Sequence, residues 1–281
     1  MSARPAVLVI AATDSSGGAG MTRDVRVLSE LGVDALCAVT AVTAQSDATV
    51  AAVHHVPPEV IRAQIRAAFD TRPVAAVKIG MLGTRATVEA VAEALLDRLD
   101  ASPARAEVQP GRTVEAQPGR MGDRVDPPPP LRIPLVIDPV LVSSSGGILL
   151  DGDGRAALAR TLFPKATLIT PNVPEVAALL DEPPATDEPV LLEQGRRLLA
   201  LGSEAILLKG GHSVGQDSVD LLIWGDRVDR LVASRVAGSS RGTGCALASA
   251  IAAGLARGET LLKACTAAKH YVLGMLTSEV R

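Results

Sequence analysis

Gly242-Thr243-Gly244-Cys245 runs straight into Ala246-Leu247-Ala248-Ser249-Ala250-Ile251-Ala252-Ala253-Gly254. The second stretch is small and aliphatic throughout and reads as a buried helix, so the first stretch forms its start. Two glycines there permit a tight turn and leave backbone N–H groups uncovered. The first N–H groups of a helix lack internal partners, and the helix dipole makes that end electropositive. Such a turn suits a phosphate, or the charge that develops as a phosphoryl group moves. Cys245 falls in the first turn, where a thiol pKa is expected to fall and a base to become available. The plainer reading is a glycine turn before a core helix that carries a buried cysteine.

Other reactive residue types stand just past apolar runs. Thr13-Asp14-Ser15-Ser16-Gly17-Gly18-Ala19-Gly20 follows the run 6–11, yet it has neither the G-x-G-x-x-G spacing nor a P-loop's G-K-[ST] ending. It reads as a substrate loop at a strand's carboxyl end. Asp14 and Asp24 read as helix caps or ligand contacts, with ligand contact placed first for Asp14 and capping first for Asp24. Gln45 is either a surface amide or a reader of a ring's donor and acceptor pattern. Met81 lines a pocket or fills the core. Asp138 ends the run 135–137, at the strand end where ligand groups collect. Asn172 and Glu175 have capping-box spacing, with a role toward magnesium-bound water or phosphate as the alternative. Lys209, before Gly210-Gly211, snorkels to the surface or supplies a point charge beside a phosphate. His270 reads as a satisfied or exposed histidine of the last helix.

The elements that position these residues alternate. Apolar runs at 6–11, 35–42, 74–79, 135–140, 166–170 and 205–208 read as strands of a mostly parallel sheet. Helices are expected at 21–31, 57–69, 84–100, 154–162, 188–201, 245–256 and 259–277. Residues 50–56 read as a short strand or flap, and 219–224 with 227–232 as a hairpin around Gly225-Asp226. Helices then cover both sheet faces, and all the loops named above share one edge. Residues 101–132 break the pattern with scattered Pro, Gly, Arg and Glu, a repeated Gln-Pro-Gly-Arg and the run Pro127-Pro128-Pro129-Pro130. They are expected to form a surface insert within one domain spanning 1–281.

Composition narrows the function class. Of 281 residues, 47% are hydrophobic but only 1% aromatic, so the core is aliphatic. A net charge of −3 with no basic block disfavours nucleic acid or an anionic membrane as partner. Three widely spaced cysteines, Cys37, Cys245 and Cys265, lack metal-ligand spacing and fit a reducing compartment. Residues 1–5 are too few for a signal peptide ahead of the first strand, and no apolar run reaches a membrane span. The expectation is a soluble, cytoplasmic protein.

Seven ordered motifs also carry a resemblance: Ala11-Ala12-Thr13-Asp14-Ser15-Ser16-Gly17-Gly18-Ala19-Gly20, Thr43-Ala44-Gln45, Val77-Lys78-Ile79-Gly80-Met81-Leu82, Asp138-Pro139-Val140, Thr170-Pro171-Asn172-Val173-Pro174-Glu175, Leu208-Lys209-Gly210-Gly211-His212 and Gly242-Thr243-Gly244-Cys245. Together they resemble the hydroxymethylpyrimidine/phosphomethylpyrimidine kinases of thiamine synthesis, within the ribokinase-like superfamily. The resemblance implies a three-layer α/β/α fold that moves the γ-phosphoryl group of ATP, with Mg2+, to 4-amino-5-hydroxymethyl-2-methylpyrimidine and then to its monophosphate. It implies Cys245 as catalytic residue and Gly242, Thr243 and Gly244 as its anion hole. It also implies Gln45, Met81, Ala12, Asp14, Gly18 and Thr43 around the pyrimidine, and Lys209, Asn172 and Glu175 toward the phosphates. Asp138 and Glu175 stand on the magnesium side, Glu175 through water. The implied partners are the pyrimidine, ATP and a second copy of the chain. A pyridoxal kinase of the same fold and a silent pyrimidine-binding protein are the alternatives.

The chain departs from the family's usual pattern at several points. Ala12 stands for Gly, Ser15 for Pro, Ser46 for Asn, and Ser240-Arg241 for Thr-His. Ser143-Ser144-Ser145 occupies a loop that usually carries lysine. Arg241 is expected either to add charge at the phosphates or to face solvent.

Overall fold

Strand β1, Ala6–Ala11, is buried along its whole length, as a continuous aliphatic run in a parallel sheet must be. Its side chains alternate between two separate clusters. Val7 and Val9 pack with helices on one side, Leu8 and Ile10 with helices on the other. A computed structural model of the chain describes residues 3–46, 48–99, 132–142, 147, 149–210, 217–236 and 241–279. The expected insert, apart from Arg132, lies outside the described residues, as do Ser143 to Ser145, Gly211, His212 and Ser240.

After β1 come α1 (Gly20–Glu30), β2 (Asp34–Val39), β3 (Ala41–Gln45), β4 (Val50–His55), α2 (Pro58–Thr71), β5 (Ala76–Ile79) and α3 (Arg85–Leu99). Then follow β6 (Leu135–Ile137), α4 (Gly152–Thr161), β7 (Leu168–Ile169), α5 (Val173–Leu180), α6 (Glu188–Leu199) and β8 (Ala205–Leu208). The hairpin β9 (Asp217–Trp224) and β10 (Arg227–Ser234) precedes α7 (Thr243–Ala256) and α8 (Leu261–Glu279). The main sheet has the order β10-β9-β8-β7-β6-β5-β1-β2. From β2 to β8 all neighbours run parallel, while β9 and β10 add an antiparallel edge. Residues of α1, α7 and α8 belong to one core cluster, and those of α2, α3, α4 and α6 to the other. The three-layer α/β/α architecture is therefore present.

One expected strand divides. The run 35–42 is β2 followed by β3, with Thr40 between them. Gln64 of α2 accepts from the Val39 N–H at 2.9 Å and donates to the Val39 carbonyl at 3.1 Å, closing the sheet edge there. The chain then pairs β3 antiparallel with β4 in a separate two-stranded flap. Apolar periodicity does not mark where a chain leaves a sheet, so the division was not legible in the run itself.

Helix α7 is apolar all round and buried from Ala246 to Leu255, as befits a helix enclosed on every side. Its start opens on the edge formed by the carboxyl ends of the parallel strands.

Candidate active site

Gly242 caps α7 in the left-handed region, at φ 73° and ψ 14°. A Cβ on it would lie 2.3 Å from the Gly18 carbonyl oxygen. Only glycine suits this position, so the glycine loop and the helix start are in direct backbone contact. Gly244 faces the other way. A Cβ there would lie 3.2 Å from Lys209 Nζ and 3.5 Å from Asp138 Oδ2. The start of α7 thus sits between the loop after β1 and the charged pair beyond β6 and β8.

Cys245 follows. The residue is half-buried, and the Gly20 N–H, at the start of α1, donates toward its sulfur. Two helix starts therefore converge on one thiol. The expected fall in its pKa does not occur. Desolvation by the surrounding protein pushes the thiol up to about 11; Lys78 opposes that shift, Asp24 and Asp138 add to it, and the Gly20 N–H opposes it. The Lys78 ammonium and the Gly20 N–H are outweighed by burial and two carboxylates. In the unliganded chain Cys245 holds its proton.

The charged pair is ordered by local structure. Asn172 accepts from the Glu175 N–H at 2.8 Å, and Glu175 accepts from the Asn172 N–H at 2.8 Å, so the capping box of α5 is complete. Lys209 pairs with Asn172 as a parallel bridge that extends the sheet. Its ammonium donates to Asp138 Oδ1 at 2.8 Å and lies 3.6 Å from Glu175 Oε2. Thr170 donates to Asp138 Oδ1 at 3.1 Å. Burial opposes the Asp138 carboxylate, but Lys209, Lys78 and these hydrogen bonds hold its pKa below the ordinary value. At Glu175 burial prevails over Lys209, with Asp138 adding to it, and the pKa is raised. The two carboxylates are driven apart, a pattern found at functional sites. They are hard oxygen donors, and no cluster of three His, Cys, Asp or Glu suited to a metal exists among the described residues. Two carboxylates beside the start of α7 fit Mg2+, which keeps waters and takes ligands from nucleotide phosphates.

The loop after β1 is knitted to the flap. Thr43 donates to the Thr13 carbonyl at 2.8 Å, and Thr40 to the Met81 carbonyl at 2.7 Å. Ser15 Oγ donates to the Gln45 carbonyl at 2.7 Å and accepts from the Gln45 N–H at 2.8 Å. The Gln45 side chain, half-buried, accepts a long 3.4 Å contact from Thr43. Asp14 is buried and accepts from Ser16 N–H and Oγ at 2.9 and 2.7 Å. Ala12 is buried, and its carbonyl accepts from the Met21 N–H that helps open α1.

Arg241 neither joins the Lys209 group nor simply faces solvent. It donates to the Ser46 carbonyl at 2.9 Å, to Ser16 Oγ at 3.2 Å and to Asp14 Oδ2 at 3.3 Å. The structure places it with the glycine loop and flap, across the helix start from Asn172 and Glu175. Asp24 also departs from expectation. It caps nothing; it is fully buried, accepting from Lys78 Nζ at 2.7 Å and from Ser249 Oγ at 2.8 Å. Neither Lys78 nor Ser249 stood out in the sequence as a residue with a role of its own. A lysine inside the otherwise apolar Ala-Val-Lys-Ile of β5 was the available signal, because a buried ammonium requires a partner. His270 is exposed on α8, as read.

A family model described as phosphomethylpyrimidine kinase matches residues 14–104 and 130–281. The chain belongs to the phosphomethylpyrimidine kinase family. Within the family it is similar to the hydroxymethylpyrimidine/phosphomethylpyrimidine kinase of Rhizobium meliloti (strain 1021), at 38% identity over 98% of this chain and 91% of that one. Other relatives are named as bifunctional thiamine biosynthesis enzymes. Among solved structures, phosphomethylpyrimidine kinase from Clostridium difficile 630 has a TM-score of 0.75 at 29% identity, covering 97% of this chain and all of that one. The pyridoxal kinase of Staphylococcus aureus in complex with AMP-PCP and pyridoxal has a TM-score of 0.78 at 26% identity, covering 97% of this chain and 87% of that one. This phosphomethylpyrimidine kinase family member is a phosphotransferase with the ribokinase-like fold, and its relatives' ATP-analogue complexes point to ATP as the donor. Among the described residues no helix is long and apolar enough to cross a membrane.

Proposed function

We propose that the chain transfers the γ-phosphoryl group of ATP to the hydroxymethyl oxygen of 4-amino-5-hydroxymethyl-2-methylpyrimidine, and again to the resulting monophosphate, in thiamine biosynthesis. The observation that carries this reading is the position of the α7 start, in contact with the glycine loop on one side and the Lys209–Asp138 pair on the other. Phosphoryl transfer asks mainly for positioning and for charge stabilisation.

In this reading the pyrimidine lies between the loop Ala12 to Gly18, the flap residues Thr43 and Gln45, and Met81. The amide of Gln45 reads the ring. The N–H groups of Gly242 to Cys245 face the oxygens of the moving phosphoryl group, and Lys209 adds a fixed positive charge. Asn172 and Glu175 stand on the nucleotide side. Asp138 and Glu175 would hold Mg2+, Glu175 through water, and the ion would neutralise charge on the phosphates. Arg241 ties the turn before the anion hole to the flap, which supports a place beside the phosphate-bearing end of a bound pyrimidine. Cys245 Sγ takes the hydroxyl proton as the thiolate, and because the resting group is protonated, turnover is expected to rise with pH as the thiolate fraction grows.

Phosphorus NMR of the products from the alcohol and Mg-ATP tests the reading, since one transfer and two give different signals. Faster turnover of pyridoxal than of the pyrimidine alcohol overturns it in favour of the second reading, which the likeness to the S. aureus enzyme supports. Gln45→Ala is expected to raise the pyrimidine KM with a smaller effect on kcat; an unaltered KM removes Gln45 as ring reader.

The kinase acts as a single domain in the cytoplasm, with small molecules rather than nucleic acid or membrane as partners. The eight-stranded sheet, the net charge of −3 and the free cysteines support this. It works as a homodimer; exposed Val42 and Val53 on the flap support an apolar contact there. Sedimentation of a purely monomeric species at micromolar concentration would overturn the dimer.

A further inference from the structure

Lys78 stands in β5, where alternation turns it toward the α1 and α7 layer with Ala76, away from Val77 and Ile79. Its side chain is fully buried. A Cβ on Gly80 would lie 2.9 Å from its Nζ, so the charge sits at the carboxyl end of the strand, not in mid-sheet. Asp24 accepts from it through Oδ2, and through Oδ1 accepts from Ser249 of α7.

These contacts have a regular spacing. Asp24 follows Gly20 by four residues, and Ser249 follows Cys245 by four. Four residues make about one helical turn. The Asp24–Ser249 bond therefore repeats, one turn deeper, the approach of the Gly20 N–H to Cys245 Sγ. Lys78 closes this two-rung ladder from the sheet. For stability alone a buried ion pair has little advantage over apolar residues of the same volume. What it supplies, and they do not, is a fixed pair of opposite charges beneath the paired helix starts.

We propose that Lys78, held by Asp24, which Ser249 also bonds, is a positioning residue that keeps the starts of α1 and α7 in register and sets the electrostatic surroundings of Cys245. The proposal rests on the catalytic reading of Cys245 above. Four charged groups act on that sulfur: Lys78 from β5, Asp24 from α1, Asp138 beyond β6 and Lys209 beyond β8. Lys78 favours the thiolate and Asp24 disfavours it, so the two partners of one ion pair act with opposite sign.

Iodoacetamide alkylation of Cys245 in the full chain without substrates, read by peptide mass spectrometry between about pH 7 and 10.5, tests this. In the unaltered chain the rate climbs across the whole range. Asp24→Asn shifts the profile down in pH, with alkylation near pH 8 at least about threefold faster. Lys78→Met/Asp24→Asn shifts it back, at least about threefold slower than Asp24→Asn at the same pH. Profiles that stay in place, or move together, overturn the proposal, because loosened packing alone would expose the thiol in both. Should the double variant not fold, an Asp24→Asn profile that stays or moves up in pH overturns it by itself. The companion measurement is kcat against KM, with kcat expected to fall and KM to hold in the double variant relative to Asp24→Asn. Shifted alkylation with unchanged turnover in Cys245→Ala would end the catalytic reading while leaving the charge arrangement standing.

Discussion

Cys245→Ala lowers kcat at least ~100-fold, the lower range for loss of a positioned proton acceptor, with little change in pyrimidine affinity. The loss is confined to the chemical step because Sγ lies at the helix start, whereas Gln45, Thr43 and Asp14 belong to the loop and flap. The backbone donors of Gly242 to Cys245 remain in the alanine variant, so residual turnover above the uncatalysed rate is expected from them. The pH dependence has a definite sign. The Cys245 thiol titrates at about 11, so the thiolate fraction, and turnover that depends on it, grows with pH across the neutral range. The alanine variant loses this slope. Unchanged turnover, or an identical pH profile in both proteins, removes Cys245 from the mechanism.

Lys78→Met destabilises the fold by about 3–5 kcal/mol, because Asp24 is left buried without its countercharge. Urea unfolding measures it. Surface pairs such as Arg26–Glu30, exposed at both partners, offer the contrast: breaking that one changes stability by at most about 1 kcal/mol. The pH dependence again has a sign. Burial raises the Asp24 carboxyl even with Lys78 present, although the ammonium and Ser249 oppose it. A carboxyl whose folded pKa is raised contributes stability below its unfolded value and loses it as pH rises through the folded value. With Lys78 gone that rise is larger. The gap between the two proteins should therefore be smaller near about pH 5 than near about pH 8. Lys78→Met/Asp24→Leu should recover most of the loss, and failure to recover it would mean that Lys78 stabilises by packing rather than by pairing.

Much of this molecule was legible before folding. Strand β1, the helix start at Gly242, the capping box of Asn172 and Glu175 and the β9–β10 hairpin each depend on residues close in sequence. Local sterics, capping geometry and period-two burial act over a few residues, so their signals survive in one dimension. The alternation of strands and helices then dictated a mostly parallel sheet, and with it a shared edge for Asp14, Asp138 and Lys209, whereas Gln45 lies on the separate β3–β4 flap.

What tertiary structure decided were the interactions between distant residues, and above all their sign. Cys245 looked activated from its place in a first turn, yet its thiol is raised, because desolvation depends on everything packed around it. Asp24 looked like a cap and is a buried acceptor, since its partners lie 54 and 225 positions away. Arg241 joined Asp14 and the flap instead of Lys209, a choice made by which loops the fold brings to that corner. Helix caps and strands answer to neighbours along the chain; charge and proton affinity answer to neighbours in space.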